Sequence, residues 1–394
     1  MKSSSLILGL CCLYSVPALA SIEWQTPQGE LKLYGDVEFN VDAASKKKQL
    51  TSVKTTAKKD FDADDINRWD VNGRILIGLD GKRVLENQNY AGFSVQPLAD
   101  LSGKVNLDDA DFYFGKQNDW QLKIGRFEAY DMFPLGQDTF IEYSGNTSND
   151  LYHDGFGYIY MMKEARGRSS SGGSLQLIKN LGGFNFEVNT MIKDGTTLFY
   201  DDLYHGYKLK NDKNVVYLRP VISYKDQDFS IAAAVESNVV NNAYGYHDAN
   251  GDWQDQSKRT GYGLTMSWNS VGDFSRASEG LLVNMSTAYL DAEQEKDFTA
   301  GINAIWQQYA LGYIFAANDI KAFNPAYTNF NGLDTVGKYK VHTVHASYLI
   351  PNVMDMDNFN IYLGAYWSML DRDEKQGGGD EHRYGGRVRF KYFF

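Results

Sequence analysis

Apolar and polar residues alternate with a period of two almost from end to end of the chain, and helical periodicity is nearly absent. In "ELKLYGDVEFNVD", Leu31, Leu33, Val37, Phe39 and Val41 share one face, while Lys32, Tyr34, Asp36, Glu38, Asn40 and Asp42 share the other. In "RWDVNGRILIGLD", Trp69, Val71, Ile75, Ile77 and Leu79 oppose Arg68, Asp70, Asn72 and Arg74. The alternation returns in "FNFEVNTMI" (184–192), "FSIAAAVE" (229–236), "TGYGLTMSW" (260–268), "KYKVHTVHASYLI" (338–350) and "NFNIYLGAYWSML" (358–370). It predicts sixteen strands, near 30–42, 67–80, 90–98, 106–116, 119–127, 172–180, 183–192, 214–224, 229–237, 259–268, 280–290, 297–306, 308–316, 337–350, 358–370 and 382–394; fourteen or eighteen stay open. The weakest division is Gln307-Gln308, where no Gly, Pro or Asn marks a turn. The apolar phase slips there, from Ile302, Ala304 and Trp306 to Tyr309, Leu311 and Tyr313, as a reversal requires.

Segments of about ten residues, apolar on one face and aromatic near the ends, are the pattern of strands that cross a bilayer in a closed antiparallel barrel. A soluble sandwich would use shorter strands. Long connections (43–66, 127–171, 193–213, 238–258, 317–336, 371–381) alternate with short ones such as "QND" (117–119), "NLGG" (180–183), "KDQD" (225–228) and "PNVMDMD" (351–357). Long loops on one rim and tight turns on the other predict an all-β, up-and-down barrel of the outer-membrane kind. The chain ends on "RVRFKYFF", with Val388, Phe390, Tyr392 and Phe394 on one face and Arg387, Arg389 and Lys391 on the other. A last strand paired with the first leaves no backbone group unsatisfied in hydrocarbon. Its cations are expected to point inward, because each would cost roughly 2–4 kcal/mol facing lipid at the midplane.

Composition changes this picture in two places. Lys2, the apolar run Leu6 to Val16 and Ala18-Leu19-Ala20 predict a signal peptide over 1–20, cleaved between Ala20 and Ser21, and a single barrel domain over 21–394. Cys11 and Cys12 leave with it, and Leu10 stands where lipidation would want a small residue, so the mature barrel is expected to hold neither disulfide nor thiol chemistry. The net charge of −11 disfavours nucleic acid as a partner. Nothing after Ala20 approaches about 18 consecutive apolar residues, so no transmembrane helix is expected.

The terminal aromatic strand ending in Phe resembles the assembly signal of Gram-negative outer-membrane trimeric porins. The stretch "DADFYFGKQNDWQLKIGRF" (109–127) resembles the porin hairpin that precedes an inward-folded third loop, and "EAYDMFPLGQDTFIEYSG" after it is similar to the raffinose-type glycoporins, a carbohydrate porin branch. The resemblance implies a homotrimer, a channel narrowed by the loop at 127–171, and sugars as solutes. Small residues on outer strands, such as Ala232–Ala234, are placed to pack between subunits.

The expected pore constriction loop carries Glu128, Asp131, Asp138 and Glu142 interleaved with Tyr130, Phe133, Phe140 and Tyr143, and Pro134 and Gly136 make a bend. So many aromatics are unfavourable on a solvated external loop, which argues that it folds inward. The expected basic pore wall comprises Arg68 and Arg74 on the second strand, Arg387 and Arg389 on the last, and Arg126 at the loop root. Strict alternation turns Arg126 outward; the resemblance and the cost of a lipid-facing charge imply a local bulge that turns it in. An acidic loop facing a basic wall would set a transverse field across the pore. The alternative is that these arginines only balance neighbouring carboxylates. Tyr34, Phe127, Tyr130 and Phe133 are candidates for stacking on sugars or, equally, for packing that fixes the loop.

Other signals carry less. "HDANGDWQD" (247–255) has calcium-loop spacing at Asp248, Asn250 and Asp252, but Trp253 stands where glycine is needed, so no metal site is expected. His153-Asp154 and His247-Asp248 are adjacent pairs with no committed serine or second carboxylate, so no catalytic residue and no cofactor is expected. "DFDADD" (60–65), after the lysine run Lys46–Lys48, reads as a solvated loop; the alternative is that it meets divalent ions bridging surface lipopolysaccharide. The function expected is passive diffusion of small hydrophilic solutes, oligosaccharides first. A general, weakly cation-selective porin and a surface barrel whose loops bind or cleave a macromolecule are the alternatives.

Overall fold

The two-residue period is realised as strands that pair only with their neighbours. The structure, a computed structural model, describes residues 21–45, 69–137, 159–169, 171–199, 202–324, 336–372 and 380–394. Its barrel strands are β1 (Gly29–Ala44), β2 (Trp69–Val84), β3 (Asn89–Asp100), β4 (Val105–Lys116), β5 (Trp120–Arg126), β6 (Gly173–Leu181), β7 (Phe184–Asp194), β8 (Asn214–Lys225), β9 (Phe229–Asn238), β10 (Arg259–Asn269), β11 (Leu281–Ala292), β12 (Glu295–Trp306), β13 (Tyr309–Ile320), β14 (Gly337–Ile350), β15 (Phe359–Arg372) and β16 (Glu381–Phe393). Each is antiparallel to the next, and β16 pairs with β1 from Asp36↔Phe393 to Ala44↔Gly385, closing a barrel of 16 strands. Closure removes the sheet edges that lipid could not satisfy.

The seam explains the terminal aromatic. Phe394 and Gly35 exchange both backbone hydrogen bonds, at 2.7 and 3.0 Å. A Cβ on Gly35 would stand 2.5 Å from the Phe394 ring, so the ring lies over a position that only glycine leaves open. Below it, the short strand Ile22–Thr26 folds back on β1 and continues the ladder where β16 stops.

The reversal at Gln307-Gln308 is a two-residue turn with Gln307 at φ 53°, flanked by the pair Trp306↔Tyr309. The left-handed conformation costs a non-glycine residue roughly 1–2 kcal/mol, and Gln307 adopts it with no Gly or Asn to mark the turn in the sequence. Connections depart from the simple long–short alternation in three places. Residues 101–104 and 293–294 are tight on the long-loop rim, and 270–280 is long on the other. That last segment tucks Phe274 and Ala277 against the lumen-side residues Leu282, Ile305 and Ala310, as a floor under part of the barrel.

One register shift matters for the pore. Val95 pairs with Ala110 but Pro97 with Leu107, which leaves an extra residue in β4 at Asp108-Asp109. A bulge of this kind lets adjacent side chains reach the same partner. The expected bulge at Arg126 is absent: the β4–β5 ladder runs unshifted from Lys116↔Trp120 to Ala110↔Arg126. Arg126 therefore keeps the backbone phase of Ile124, while its side chain stays within range of the charges of Asp108, Asp109, Glu128 and Arg168. Its Nε donates to the Leu107 carbonyl (2.7 Å) and its Nη1 to the Ser169 carbonyl (2.6 Å). Pro97, across the ladder from Leu107, has no N–H to offer that carbonyl. Ala232 and Ala234 are also corrected: both are buried on the inner face, and of the three only Ala233 points outward.

Candidate functional site

The barrel interior has two unlike walls, and the loop after β5 makes the difference. Its two limbs run antiparallel at the root, through the Glu128↔Gly167 bridge and the bonds Ala129 N–H to Arg166 O (2.8 Å) and Arg168 N–H to Phe127 O (3.1 Å). The loop then lies along the inner faces of β7 to β12. Tyr130 N–H reaches Glu187 on β7 (3.1 Å), Asn189 donates to Ala165 O (2.7 Å), and Asn303 on β12 donates to Pro134 O (2.6 Å). Gln137 goes deeper, donating to Gln308 O in the turn after β12 (3.2 Å) and accepting from Ser347 (2.7 Å).

Glycines on the inner face make room for this path. A Cβ on Gly261 would lie 1.6 Å from the Tyr160 hydroxyl, one on Gly263 2.1 Å from Met162 Sδ, and one on Gly301 2.7 Å from the Phe133 ring. Met132, Phe133, Tyr160 and Met162 are accordingly buried. Charged groups hold the same surface. Arg259 on β10 binds Glu164 of the loop (2.7 Å) and Glu295 of β12 (3.0 Å), and His205 of the next loop meets Glu295 at 3.0 Å. Glu236 accepts from Tyr160 OH (2.6 Å) and Ala165 N–H (3.1 Å), and Arg219 donates to Tyr130 O (2.9 Å). Burial, with the Glu236 carboxylate alongside, pushes the Tyr160 hydroxyl well above its ordinary range, so it stays a donor. Buried charges that each meet an opposite partner are tolerable; any one left alone is costly. With residues 270–280 packed below, the described inner-face residues of β7–β12 are largely buried.

Among the described residues, the lumen face of β1–β5 is less covered, although Glu38, Asn40 and Asp111 are buried on it. Tyr34, Asp36, Arg74, Tyr90, Tyr113 and Lys123 all keep partial exposure. Across it runs a chain of alternating charge. Arg387 holds Asp42 (2.6 Å), and Arg389 reaches Asn40 (2.9 Å) and Glu38 (3.4 Å). Lys391 also binds Glu38 (3.1 Å), and Arg74 stands between Asp36 (3.6 Å) and Asp108 (3.8 Å). The bulge gives Arg168 both Asp108 (3.0 Å) and Asp109 (2.7 Å). Arg166 closes the chain on the loop, with Glu128 at 3.3 Å and Asp131 at 3.4 Å. Burial works against the Arg168 charge, but Glu128 and Asp109 outweigh it and raise its pKa above the ordinary arginine value.

Of the residues singled out in the sequence, Arg74, Arg387, Arg389, Glu128 and Asp131 thus come together in one belt, and Asp131 is its most exposed acid at 39 %. Phe133 lies against Gly301 under the loop, Phe127 is buried at its root, and Tyr130 packs half-buried on the covered core. Arg68, Asp138 and Glu142 lie outside the described residues, as does the expected signal peptide. Sequence reasoning passed over Glu187, Arg219, Glu236, Arg259 and Glu295. Each sits in the inward phase of its strand, and the inward glycines 261, 263 and 301 were the further sign that something packs there.

A family model described as porin-like glycoporin RafY matches residues 33–394. No curated protein matches the sequence. Among solved structures, the outer membrane channel DcaP of Acinetobacter baumannii is similar at TM-score 0.57 and 12% identity, covering 94% of this chain and 99% of that one. OprB of Pseudomonas putida gives 0.56 and 10%, covering 93% and 94%. OmpT of Vibrio cholerae, in its trimer form, gives 0.52 and 10%, covering 93% and 99%. At these identities the structures speak for the shared barrel alone.

Proposed function

The chain belongs to the porin-like glycoporin RafY family and is a passive diffusion channel of the outer membrane, and we propose that its preferred solutes are oligosaccharides, carried through a homotrimer of identical barrels. The observation that carries this reading is the neutralised belt. Each of Arg74, Arg166, Arg168, Arg387 and Arg389 faces a carboxylate within 4 Å. Such a wall offers dense hydrogen bonding with little net field, which suits an uncharged, hydroxyl-rich solute better than an ion. The pore moves solute down its gradient without a chemical step. Trimer formation takes its support from the OmpT trimer form.

A second reading, a general porin with weak cation preference, draws on the exposed Asp131 and the net charge of −11. Planar-bilayer recording separates them. A reversal potential near zero across a KCl gradient, with maltooligosaccharides or raffinose reducing the current, supports the sugar channel. Strong cation selectivity with currents indifferent to sugar supports the general porin.

A further inference from the structure

The loop after β5 touches both walls, and it does so through one short stretch of its return limb, residues 163–169. Glu164 is held on the β7–β12 side, by Arg259 (2.7 Å) and by the Tyr217 hydroxyl (2.9 Å). Ala165 is fixed there as well, its N–H donating to Glu236 (3.1 Å) and its carbonyl accepting from Asn189 (2.7 Å). One turn of chain later the limb is held on the other side, where Arg168 meets Asp108 (3.0 Å) and Asp109 (2.7 Å) of β4. The Ser169 carbonyl accepts from Arg126 Nη1 (2.6 Å), and Arg126 Nε donates to the Leu107 carbonyl of the same β4 (2.7 Å).

Neither the seat nor the limb follows from local preference. Leu107 and Phe112 are both exposed on the outer face although they stand an odd number of residues apart. The bulge takes up the difference, so Asp108 and Asp109 are consecutive and yet both face the lumen. The limb is bent at both ends: Met162 (φ 54°) and Arg168 (φ 49°) lie in the left-handed region. Gly167 beside them (φ 132°) has no room for a Cβ, which would stand 1.9 Å from the Phe127 carbonyl oxygen. Such conformations persist only where the surrounding contacts over-determine them. The polarity is also the reverse of an acidic loop on a basic wall, since here the loop supplies the cation and the wall the carboxylates. Asp108 is shared with Arg74 (3.8 Å), which links this contact to the belt.

We propose that residues 163–169 are a tether strung between the two walls, and that Arg168 is the positioning residue that sets the width of the open passage, with the β4 bulge as its seat. Glu164 fixes the far end. The fork of Arg168 on its two carboxylates then decides how the limb stands against the open wall. A β4 without the extra residue would turn only one aspartate inward and leave the guanidinium a single wall partner. Passage width governs the current of any small ion, so this role stands or falls separately from the preference for sugars.

The test is single-channel recording of the full-length protein in KCl without sugar, reading the fraction of time spent away from the main conductance level. Arg168→Gln raises that fraction about tenfold, as the loss of one charge-assisted hydrogen bond implies. Deleting Asp109, which brings β4 back into phase, has an effect of the same kind. Arg168→Lys falls between, because an ammonium keeps the charge without the fork. The exchange of Arg168→Asp with Asp109→Arg in one chain brings the fraction back toward the wild type, a recovery that general loosening of the barrel would not give. Heat-modifiable migration on gels confirms that each variant is folded, and Asp109→Asn, the mildest of them, carries the same expectation should Arg168→Gln not fold. Folded Arg168→Gln or Asp109→Asn barrels that hold the wild-type level as steadily as the wild type overturn the proposal. So does an exchange variant no steadier than the single ones.

Discussion

The two walls of this barrel use the same kinds of residue for opposite ends. On the β7–β12 side, Arg219 and Arg259 are fully buried against Glu187, Glu236, Glu164 and Glu295, and a loop covers them. On the β1–β5 side, Arg74 and Lys123 pair with Asp36, Asp108 and Asp111 but keep about a quarter of their side chains in contact with solvent. In the first place the ion pairs are anchors whose loss leaves a stranded charge; in the second they tune a field that water already screens. Pairing by itself therefore says little about role. Burial decides it.

The comparison breaks most severely at Arg259. Arg259→Met leaves Glu164 and Glu295 without their cation and should cost roughly 3–5 kcal/mol. The account expects a lower thermal unfolding midpoint in detergent together with noisy, enlarged single-channel currents, because the loop loses its hold. Gly261→Val acts on the same wall by volume. A side chain there overlaps the Tyr160 hydroxyl, and the overpacking costs about 1–3 kcal/mol. Conductance should rise if the loop is displaced; an unchanged current in a folded variant would show that the glycine is not its seat. Arg74→Gln tests the open wall. Stability should shift by no more than about 1 kcal/mol, while Asp36 and Asp108 lose their shared cation. The reversal potential in a KCl gradient should then move toward cations, and least so at high ionic strength, where screening is strongest.

Much of the architecture was legible because a barrel strand has a short period and two different solvents. Leu33 and Asp36, or Phe390 and Arg389, declare their faces without any knowledge of partners. Even Gln307-Gln308 was visible through the phase slip, although its conformation was not. The walls were harder to read. Whether Arg389 presents a free charge depends on Glu38, separated from it by nearly the whole sequence and brought alongside only by closure. The bulge expected at Arg126 lies in β4 instead, where Pro97 interrupts the ladder. Phe133 and Tyr160 turn on glycines of strands far away in the chain, and single-strand periodicity carries no such information. Ala232 and Ala234 looked like outer-surface residues because small apolar side chains suit either face.

The central claim is that solutes pass along β1–β5 while the β7–β12 side is covered. The barrel from Ser21 onward contains no cysteine, so single cysteines can be placed at will. Ser94→Cys and Gln96→Cys on the open wall, and Ser286→Cys and Thr299→Cys on the covered one, would be exposed to a charged, water-soluble methanethiosulfonate reagent during bilayer recording. The account predicts a stepwise fall in current for the first pair and no response for the second. Rapid modification and block at Ser286 or Thr299, with Ser94 and Gln96 silent, would contradict it.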